Sequence, residues 1–160
     1  IFREAAELSA VILMIIGLAS IFAYALSTLS IIDPIARAIL ASGISSTTAL
    51  LCTVILLLFV GMFLDGVSIF LIFVPLLAPL IRAFGWDPVW FGILMTMMVA
   101  VGQFTPPMAV NLMVSCRMAR VSMEETFPWV WWLVLAMLLA VIAVMQMPSI
   151  ALWLPKAMGY

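Results

Sequence analysis

Residues 88–116 read PVWFGILMTMMVAVGQFTPPMAVNLMVSC, a run of 29 residues without a charged side chain. A helix that crosses the hydrocarbon core of a membrane needs about 20 mostly apolar residues, so this run is long enough to span it once. Pro106 and Pro107 interrupt the run, because each lacks an N–H donor and clashes with the preceding helical turn. Thr105 precedes a proline and is therefore disfavoured in the α region. The sequence predicts a transmembrane helix over 88–120 that is broken at 102–107.

The rest of the chain has the same apolar character. Of its 160 residues, 68% are hydrophobic and 8% are charged, whereas soluble domains are about 45–50% apolar and about 25% charged. The six basic and seven acidic residues leave four further charge-free stretches, at 8–32, 38–64, 66–81 and 126–155. A soluble globule of this size could not bury so much apolar surface. We predict an all-α, multi-pass integral membrane protein embedded in a lipid bilayer.

The composition excludes several functional classes. A net charge of −1 with scattered basic residues offers no surface for nucleic acid. The chain has no histidine and no GxSxG or GxGxxG motif, so histidine metal sites and Ser/His/Asp triads are absent. Asp65 alone does not supply the paired aspartates of an intramembrane protease. We expect a protein that is not an enzyme, has no cofactor, and leaves Cys52 and Cys116 unpaired in apolar segments.

The first half of the chain divides at turn and capping residues. Residues 1–48 are expected to form a transmembrane helix, then an interfacial helix that starts at Asp33-Pro34, then a polar loop. Within 49–82, two 16-residue arms meet at a Gly/Asp turn, and each arm is about 24 Å long as a helix. That is shorter than the roughly 30 Å core. The pattern fits either a re-entrant helical hairpin or two short complete spans, and length alone does not decide between them.

Residues 122–160 are expected to hold the last transmembrane helix and a C-terminal tail. The capping box at 122–125 begins either a short surface helix or this last span, which is expected over about 129–147. All six tryptophans lie near predicted span ends, as expected for aromatic belts; they are Trp86, Trp90, Trp129, Trp131, Trp132 and Trp153. The basic residues divide equally between the two sides, so the positive-inside rule gives no orientation.

The break at 102–107 is the candidate binding site. Unpaired backbone groups cost several kcal/mol each in hydrocarbon, so irregular backbone occurs there only where protein or a water-filled cavity covers it. The break offers carbonyl oxygens, the Thr105 hydroxyl and the Gln103 amide, and such oxygens suit a hard cation such as Na+. The N-terminus of the second half-helix favours an anion. This is the arrangement that secondary transporters build from discontinuous helices; the alternative is a kink that serves packing.

Other polar residues in the apolar segments each have two possible roles. Asp65 is an ionisable residue at membrane depth, which indicates a functional site, but it could instead cap the helix that follows. Asn111 and Ser115 lie one turn apart on one face of the second half-helix. They either line a substrate cavity or hydrogen-bond to a neighbouring helix.

The order of several motifs resembles one transporter family. From about residue 50 onward, the chain carries LFVGMFLD (58–65), PLLAP (75–79), GWDPVWFG (85–92), GQFTPP (102–107) followed by Asn111-Leu112, and PSIALWLP (148–155). In this order they resemble the large membrane subunit of tripartite ATP-independent periplasmic (TRAP) transporters. One departure is Gln103-Phe104, where aliphatic residues are commoner in the family.

The resemblance implies Na+-coupled secondary import of organic acid anions, such as dicarboxylates or sialic acids, by an elevator mechanism in the bacterial inner membrane. It also implies two partners, a small membrane (Q) subunit and a periplasmic substrate-binding protein. The family's large subunit contains two inverted repeats, and this chain resembles the second, so the N-terminal repeat is a further expected partner. By the same analogy the hairpin opens to the periplasm. The alternatives are a non-transporting structural subunit and a related cation-coupled anion transporter without a binding protein.

The family's site residues carry over to positions of this chain. The resemblance implies a Na+ site, without other metals, formed mainly by carbonyls of Gly61, Gly102, Thr105, Pro106 and Pro107. On the substrate side we expect Asp65, Gln103, Asn111 and Ser115.

Overall fold

The computed structural model describes residues 2–29, 32–106 and 109–159. These residues form helices joined by short turns, with no strand among them, and the predicted all-α class is confirmed for this part of the chain. In chain order the helices are α1 Phe2–Thr28, α2 Ile32–Ala41, α3 Ser46–Gly61, α4 Gly66–Phe84, α5 Pro88–Phe104, α6 Val110–Ala119, α7 Met123–Gln146 and α8 Ser149–Ala157.

Within the described part of the chain, three helices are long and apolar enough to cross a membrane: α1 over Ala5–Phe22, α4 and α7. This supports the prediction of an integral membrane protein. The helix α4 has 19 residues, about 28 Å at 1.5 Å per residue, and is therefore longer than the predicted 66–81 arm. It continues past Arg82, which lies in its last turn, and past Pro75 and Pro79 inside it. At this length α4 could cross the membrane completely, so its length does not favour the re-entrant hairpin. The hairpin stays a prediction.

Side-chain caps fix where three of the helices begin. Asp87 Oδ1 accepts hydrogen bonds from the N–H groups of Val89 (2.8 Å) and Trp90 (3.1 Å), and α5 starts at the following proline. Ser122 Oγ accepts from the Glu125 N–H at 3.3 Å. The helix that starts there is α7 itself, so the capping box begins the last span and not a separate surface helix. Ser45 likewise caps α3, so the last residues of the polar loop predicted before residue 49 belong to the first turn of that helix.

The contacts divide the chain into two compact units. The first contains α1, α2 and residues 67–84 of α4. Within it, α1 and α4 line an open apolar groove, with Ile15, Leu18 and Phe22 on one side and Leu71 and Ile72 on the other. The second unit contains residues 45–66 and α5 to α8, and it holds the broken helix.

In the second unit, α3 and α5 are parallel neighbours. At their N-terminal ends, the Trp86 indole N–H donates to Ser46 Oγ at 2.8 Å. At their C-terminal ends, Gly61 packs against Gly102. The two contacts join residues that are 40 and 41 positions apart, so the helices keep one register over their length.

The helix α7 runs antiparallel to α5. The Trp90 indole N–H, near the start of α5, donates to the carbonyl of Val144, near the end of α7, at 2.8 Å. Val101, near the end of α5, belongs to one buried cluster with Val130 and Val134 from the first half of α7. A single continuous helix therefore packs along the whole of α5.

Two of the six tryptophans make hydrogen bonds within the chain. Trp86 and Trp90 are buried, and Trp86 also stacks on Phe91 with ring centroids 5.6 Å apart. Both indole N–H groups have partners within the chain, which explains how they can be buried. Both lie near the start of α5 and the predicted span end; their burial was not expected. Trp129, Trp131, Trp132 and Trp153 are exposed, and Cys52 and Cys116 are free thiols, as expected.

Candidate functional site at the broken helix

The C-terminal ends of α3 and α5 touch through two glycines. A β-carbon built on Gly102 would lie 2.5 Å from the carbonyl carbon of Gly61 and 2.8 Å from its carbonyl oxygen. No side chain fits between the two backbones. Gly61 and Gly102, both expected in the Na+ site, are therefore adjacent, and the Gly61 carbonyl lies directly against α5.

The break begins immediately after this contact. The helix α5 ends at Phe104, and Thr105 is extended, with φ −95° and ψ 131°. The Thr105 N–H donates to the Gly102 carbonyl at 3.0 Å, and its hydroxyl donates to the Val101 carbonyl at 2.7 Å. A hydroxyl oxygen that donates its proton keeps its lone pairs, so Thr105 Oγ1 can still ligate a cation. Pro106 follows, half-buried; Pro107 lies outside the described residues.

The electrostatics of this corner favour a cation. The end of an α-helix carries a partial negative charge, because its last four carbonyls have no partner within the helix. Since α3 and α5 are parallel, both of these ends meet at the Gly61–Gly102 contact. Neither helix has a basic residue in its last turn to offset the charge. The atoms available as ligands are oxygens, which suit a hard cation such as Na+. The described residues contain no group of three or more His, Cys, Asp or Glu side chains that could bind a transition metal.

The turn between α3 and α4 lies beside the end of α5. A β-carbon on Gly66 would be 3.2 Å from Val99 Cγ1 and 3.8 Å from Gln103 Nε2. The Gln103 amide, which we expected on the substrate side, is thus next to the residue that follows Asp65. Asp65 itself is exposed. The structure brings these two candidate substrate residues to the same end of α5 as the glycine pair.

The other two candidate substrate residues lie beyond the break, on α6. Asn111 and Ser115 are both exposed. The Ser115 hydroxyl donates to the Asn111 carbonyl at 2.9 Å, within the same helix, so both residues leave other polar groups available for a ligand or a neighbouring helix.

The start of α6 has a feature that sequence reasoning missed. Ala109, the residue before the helix, has φ 42° and ψ 50° and makes no side-chain cap, although N-cap residues usually have extended backbone. The left-handed region costs a non-glycine residue roughly 1–2 kcal/mol, and such strain persists only where the surroundings enforce it. Ala109 is 1% exposed. Nothing in the sequence signalled this conformation, since alanine is not typical of it.

The surroundings of Ala109 join three helices. It belongs to a buried cluster, which we call the break cluster, made of Val101, Ala109, Leu112, Cys116, Val130 and Val134. These residues come from α5, the break, α6 and α7. A second contact joins α6 to α7, where Cys116 Sγ lies 3.4 Å from Thr126 Oγ1. The helix α7 therefore packs on both sides of the break.

Helices long enough to cross a membrane, together with a discontinuous helix at a candidate ion site, form the arrangement that is typical of secondary transporters. Residues 1–150 match the family model described as "Tripartite ATP-independent periplasmic transporter, DctM component". The chain belongs to this TRAP transporter family, and the resemblance read from its motifs is confirmed.

Curated relatives agree with the family assignment. The chain is 33% identical over 159 residues to the C4-dicarboxylate TRAP transporter large permease protein DctM of Rhodobacter capsulatus. This alignment covers 99% of the chain and 36% of the relative. It is 32% identical over 150 residues to the isethionate TRAP transporter permease protein DctMQ of Oleidesulfovibrio alaskensis, an alignment that covers 94% of the chain and 24% of the relative.

A third relative is the sialic acid TRAP transporter large permease protein SiaM of Vibrio cholerae, 27% identical over 161 residues, covering 100% and 38%. The chain thus spans little more than a third, or less, of the relatives it matches. No solved structure matches it.

Proposed function

We propose that this chain is part of a Na+-coupled TRAP permease that imports organic acid anions across the bacterial inner membrane by an elevator mechanism. The coupling ion binds where α3 and α5 end together. Oxygen ligands come mainly from carbonyls of Gly61, Gly102, Thr105 and the two prolines after it, with the Thr105 hydroxyl. The meeting of two helix C-termini, neither of which has a basic residue in its last turn, is the observation that carries this proposal.

The anion binds at the same break, between the end of α5 and the start of α6. There α6 begins, and the N-terminus of a helix offers free N–H groups and a partial positive charge. Asp65, Gln103, Asn111 and Ser115 are the side chains proposed to contact it. The three relatives described above are named for C4-dicarboxylate, isethionate and sialic acid, all of which are organic anions, and this supports the substrate class.

The rest of the machinery is proposed from the family. A periplasmic binding protein delivers the anion, and a small Q subunit and an N-terminal repeat complete the permease. The name DctMQ of one relative supports the Q partnership. Within this chain, we propose that residues 49–82 form a re-entrant hairpin, with residues 1–48, 88–120 and 122–160 as the remaining transmembrane parts of one inverted repeat.

The experiment compares two threonines on α5. Thr105 and Thr96 both donate a hydroxyl hydrogen bond to the carbonyl four residues earlier, at 2.7 and 2.8 Å. They differ in position, because Thr96 is exposed in the middle of the helix. Uptake is measured in proteoliposomes that hold the complete assembly, with its binding protein loaded with a C4-dicarboxylate or a sialic acid, over a series of Na+ concentrations.

Thr105→Ala is expected to raise the half-saturating Na+ concentration about tenfold, the effect of losing one ligand worth about 1.4 kcal/mol. Thr105→Ser keeps the oxygen and stays near wild type, and Thr96→Ala leaves the Na+ dependence unchanged. An unchanged Na+ dependence in Thr105→Ala contradicts the proposed ion site. Uptake that needs no binding protein favours the alternative of a cation-coupled anion transporter that works without a binding protein. Equal transport by an assembly that lacks this chain favours the alternative of a non-transporting structural subunit.

A further inference from the structure

We infer that α7 sets the Na+ affinity of the site by holding the two halves of the broken helix in place. None of the contacts described above joins α7 directly to the glycine pair or to Thr105. Val134 on α7 and Ala109 at the break are the positioning residues. The inference rests on the proposed function, because it concerns the same ion site.

The first step is the continuity of α7 across the break. Its 24 residues form one helix from Met123 to Gln146. Its later part is tied to the start of α5 through the Trp90–Val144 hydrogen bond, and its first turn contacts α6 through Thr126 and Cys116. The helices α5 and α6 also pack on each other directly, so α7 is a second support for the spacing between them.

The second step leads from α7 to the ion site. Val134 is in the break cluster with Val101, and both are buried, with 3% and 0% exposure. The carbonyl of Val101 accepts the Thr105 hydroxyl at 2.7 Å. Gly102, the next residue, packs on Gly61. Truncation of the Val134 side chain would leave a cavity next to Val101, and protein interiors partly relax into such space. A shift of Val101 into this cavity would move Thr105 Oγ1 and the Gly102 carbonyl together.

The third step concerns Ala109. Its left-handed backbone sets the direction in which the chain leaves the break and enters α6. Its methyl group belongs to the break cluster, so packing against neighbouring helices holds the strained conformation. Glycine adopts the same conformation freely but many others as well. Packing of the alanine methyl group in the break cluster, and not the backbone preference of alanine, therefore holds this geometry.

The test uses the complete assembly in proteoliposomes, with Na+-dependent uptake and thermal unfolding measured on the same preparations. Val134→Ala is expected to raise the half-saturating Na+ concentration at least threefold. The half-saturating concentration of loaded binding protein stays within twofold of wild type. Leu135→Ala is the matched control, since Leu135 is the neighbouring residue on α7 and is exposed. It is expected to leave both values unchanged.

Ala109→Gly provides a second, independent variant that removes the methyl group without blocking the left-handed backbone. It is also expected to raise the half-saturating Na+ concentration, and to lower the stabilisation against heat that added Na+ gives. A merely structural role for these residues would lower the amount of assembly or its melting temperature without moving the Na+ requirement.

The inference is overturned if uptake depends on Na+ while Val134→Ala and Ala109→Gly keep the wild-type Na+ requirement; the proposed function then stands. Uptake by the unaltered assembly that ignores Na+ overturns the proposed function and this inference with it.

Discussion

Gly102 of α5 and Gly61 of α3 pack backbone against backbone, and the contact is not symmetrical. A β-carbon on Gly102 would lie 2.5 Å from the carbonyl carbon of Gly61, whereas a β-carbon on Gly61 would come no nearer than 3.4 Å to any atom of α5. The first distance is a severe clash and the second is close to ordinary contact. The two glycines should therefore respond differently to the same substitution.

Gly102→Ala is expected to separate the ends of α3 and α5 and to destabilise the permease by about 3 kcal/mol, the upper end of the usual cost of overpacking. Thermal unfolding of the purified assembly in detergent measures the loss. Gly92→Ala is the control on the same helix, since nothing lies within 4 Å of its added carbon. It should be neutral or slightly stabilising, because alanine is the better helix former by about 1 kcal/mol.

Gly61→Ala is expected to cost less than about 1 kcal/mol, because its added carbon meets neighbours at ordinary contact distances. The same unfolding measurement applies. A loss as large as that of Gly102→Ala would show that the two helix ends are held more tightly than the backbone distances indicate.

Trp90→Phe is expected to destabilise the assembly by about 1–3 kcal/mol. The substitution removes the indole N–H that donates to the Val144 carbonyl at 2.8 Å and leaves that carbonyl without this donor in a buried setting. Trp132→Phe makes the same chemical change on an exposed side chain and should have little effect on the melting temperature. Equal effects of the two substitutions would mean that the hydrogen bond does not stabilise the fold.

Asp87→Ala is expected to cost about 1 kcal/mol, because it removes the cap that accepts two N–H groups at the start of α5. Asp87→Asn keeps a capping oxygen and should retain most of the stability. Denaturation curves of the two variants separate capping from charge: if asparagine is as damaging as alanine, the charge of Asp87 matters and the cap does not.

The re-entrant hairpin predicts that the turn between α3 and α4 is reached from the same side of the membrane as the end of α4. Phe63→Cys and Ala83→Cys, both at exposed positions, are labelled in turn with a membrane-impermeant maleimide. The exposed Cys52 is first replaced by alanine. A hairpin gives labelling of both sites from one side, and two complete spans give labelling from opposite sides.

Local signals in the sequence predicted where α5 begins and ends, and they marked Ser122 as the start of a helix. Asp87-Pro88 and the capping box at Ser122 start α5 and α7 because each supplies its own hydrogen bonds to the first turn. The paired prolines interrupt a helix through sterics that need no tertiary partner, and α5 ends at Phe104, just before Thr105 and Pro106. In each case the cause lies within a few residues of the effect.

Features that depend on distant residues were not predictable from local pattern. Trp86 and Trp90 resemble interfacial tryptophans until their partners Ser46 and Val144 are known. The left-handed Ala109 follows from packing against other helices. For the site, the pattern alone predicted a break that either binds an ion or serves packing, whereas Gly61 was expected at the same site as Gly102 only from the family resemblance.

The parallel register of α3 and α5 limits the length of the chain between them. Because Trp86 returns to the level of Ser46, residues 62–85 must travel back over the full length of α3, which is about 24 Å for 16 residues. The 19 residues of α4 are about 28 Å long as a helix, which exceeds that distance by about 4 Å. Deletions in α4 of up to about three residues should therefore be compatible with the register. Longer deletions would pull Trp86 away from Ser46. The length of α3 therefore sets a minimum length for the segment 62–85.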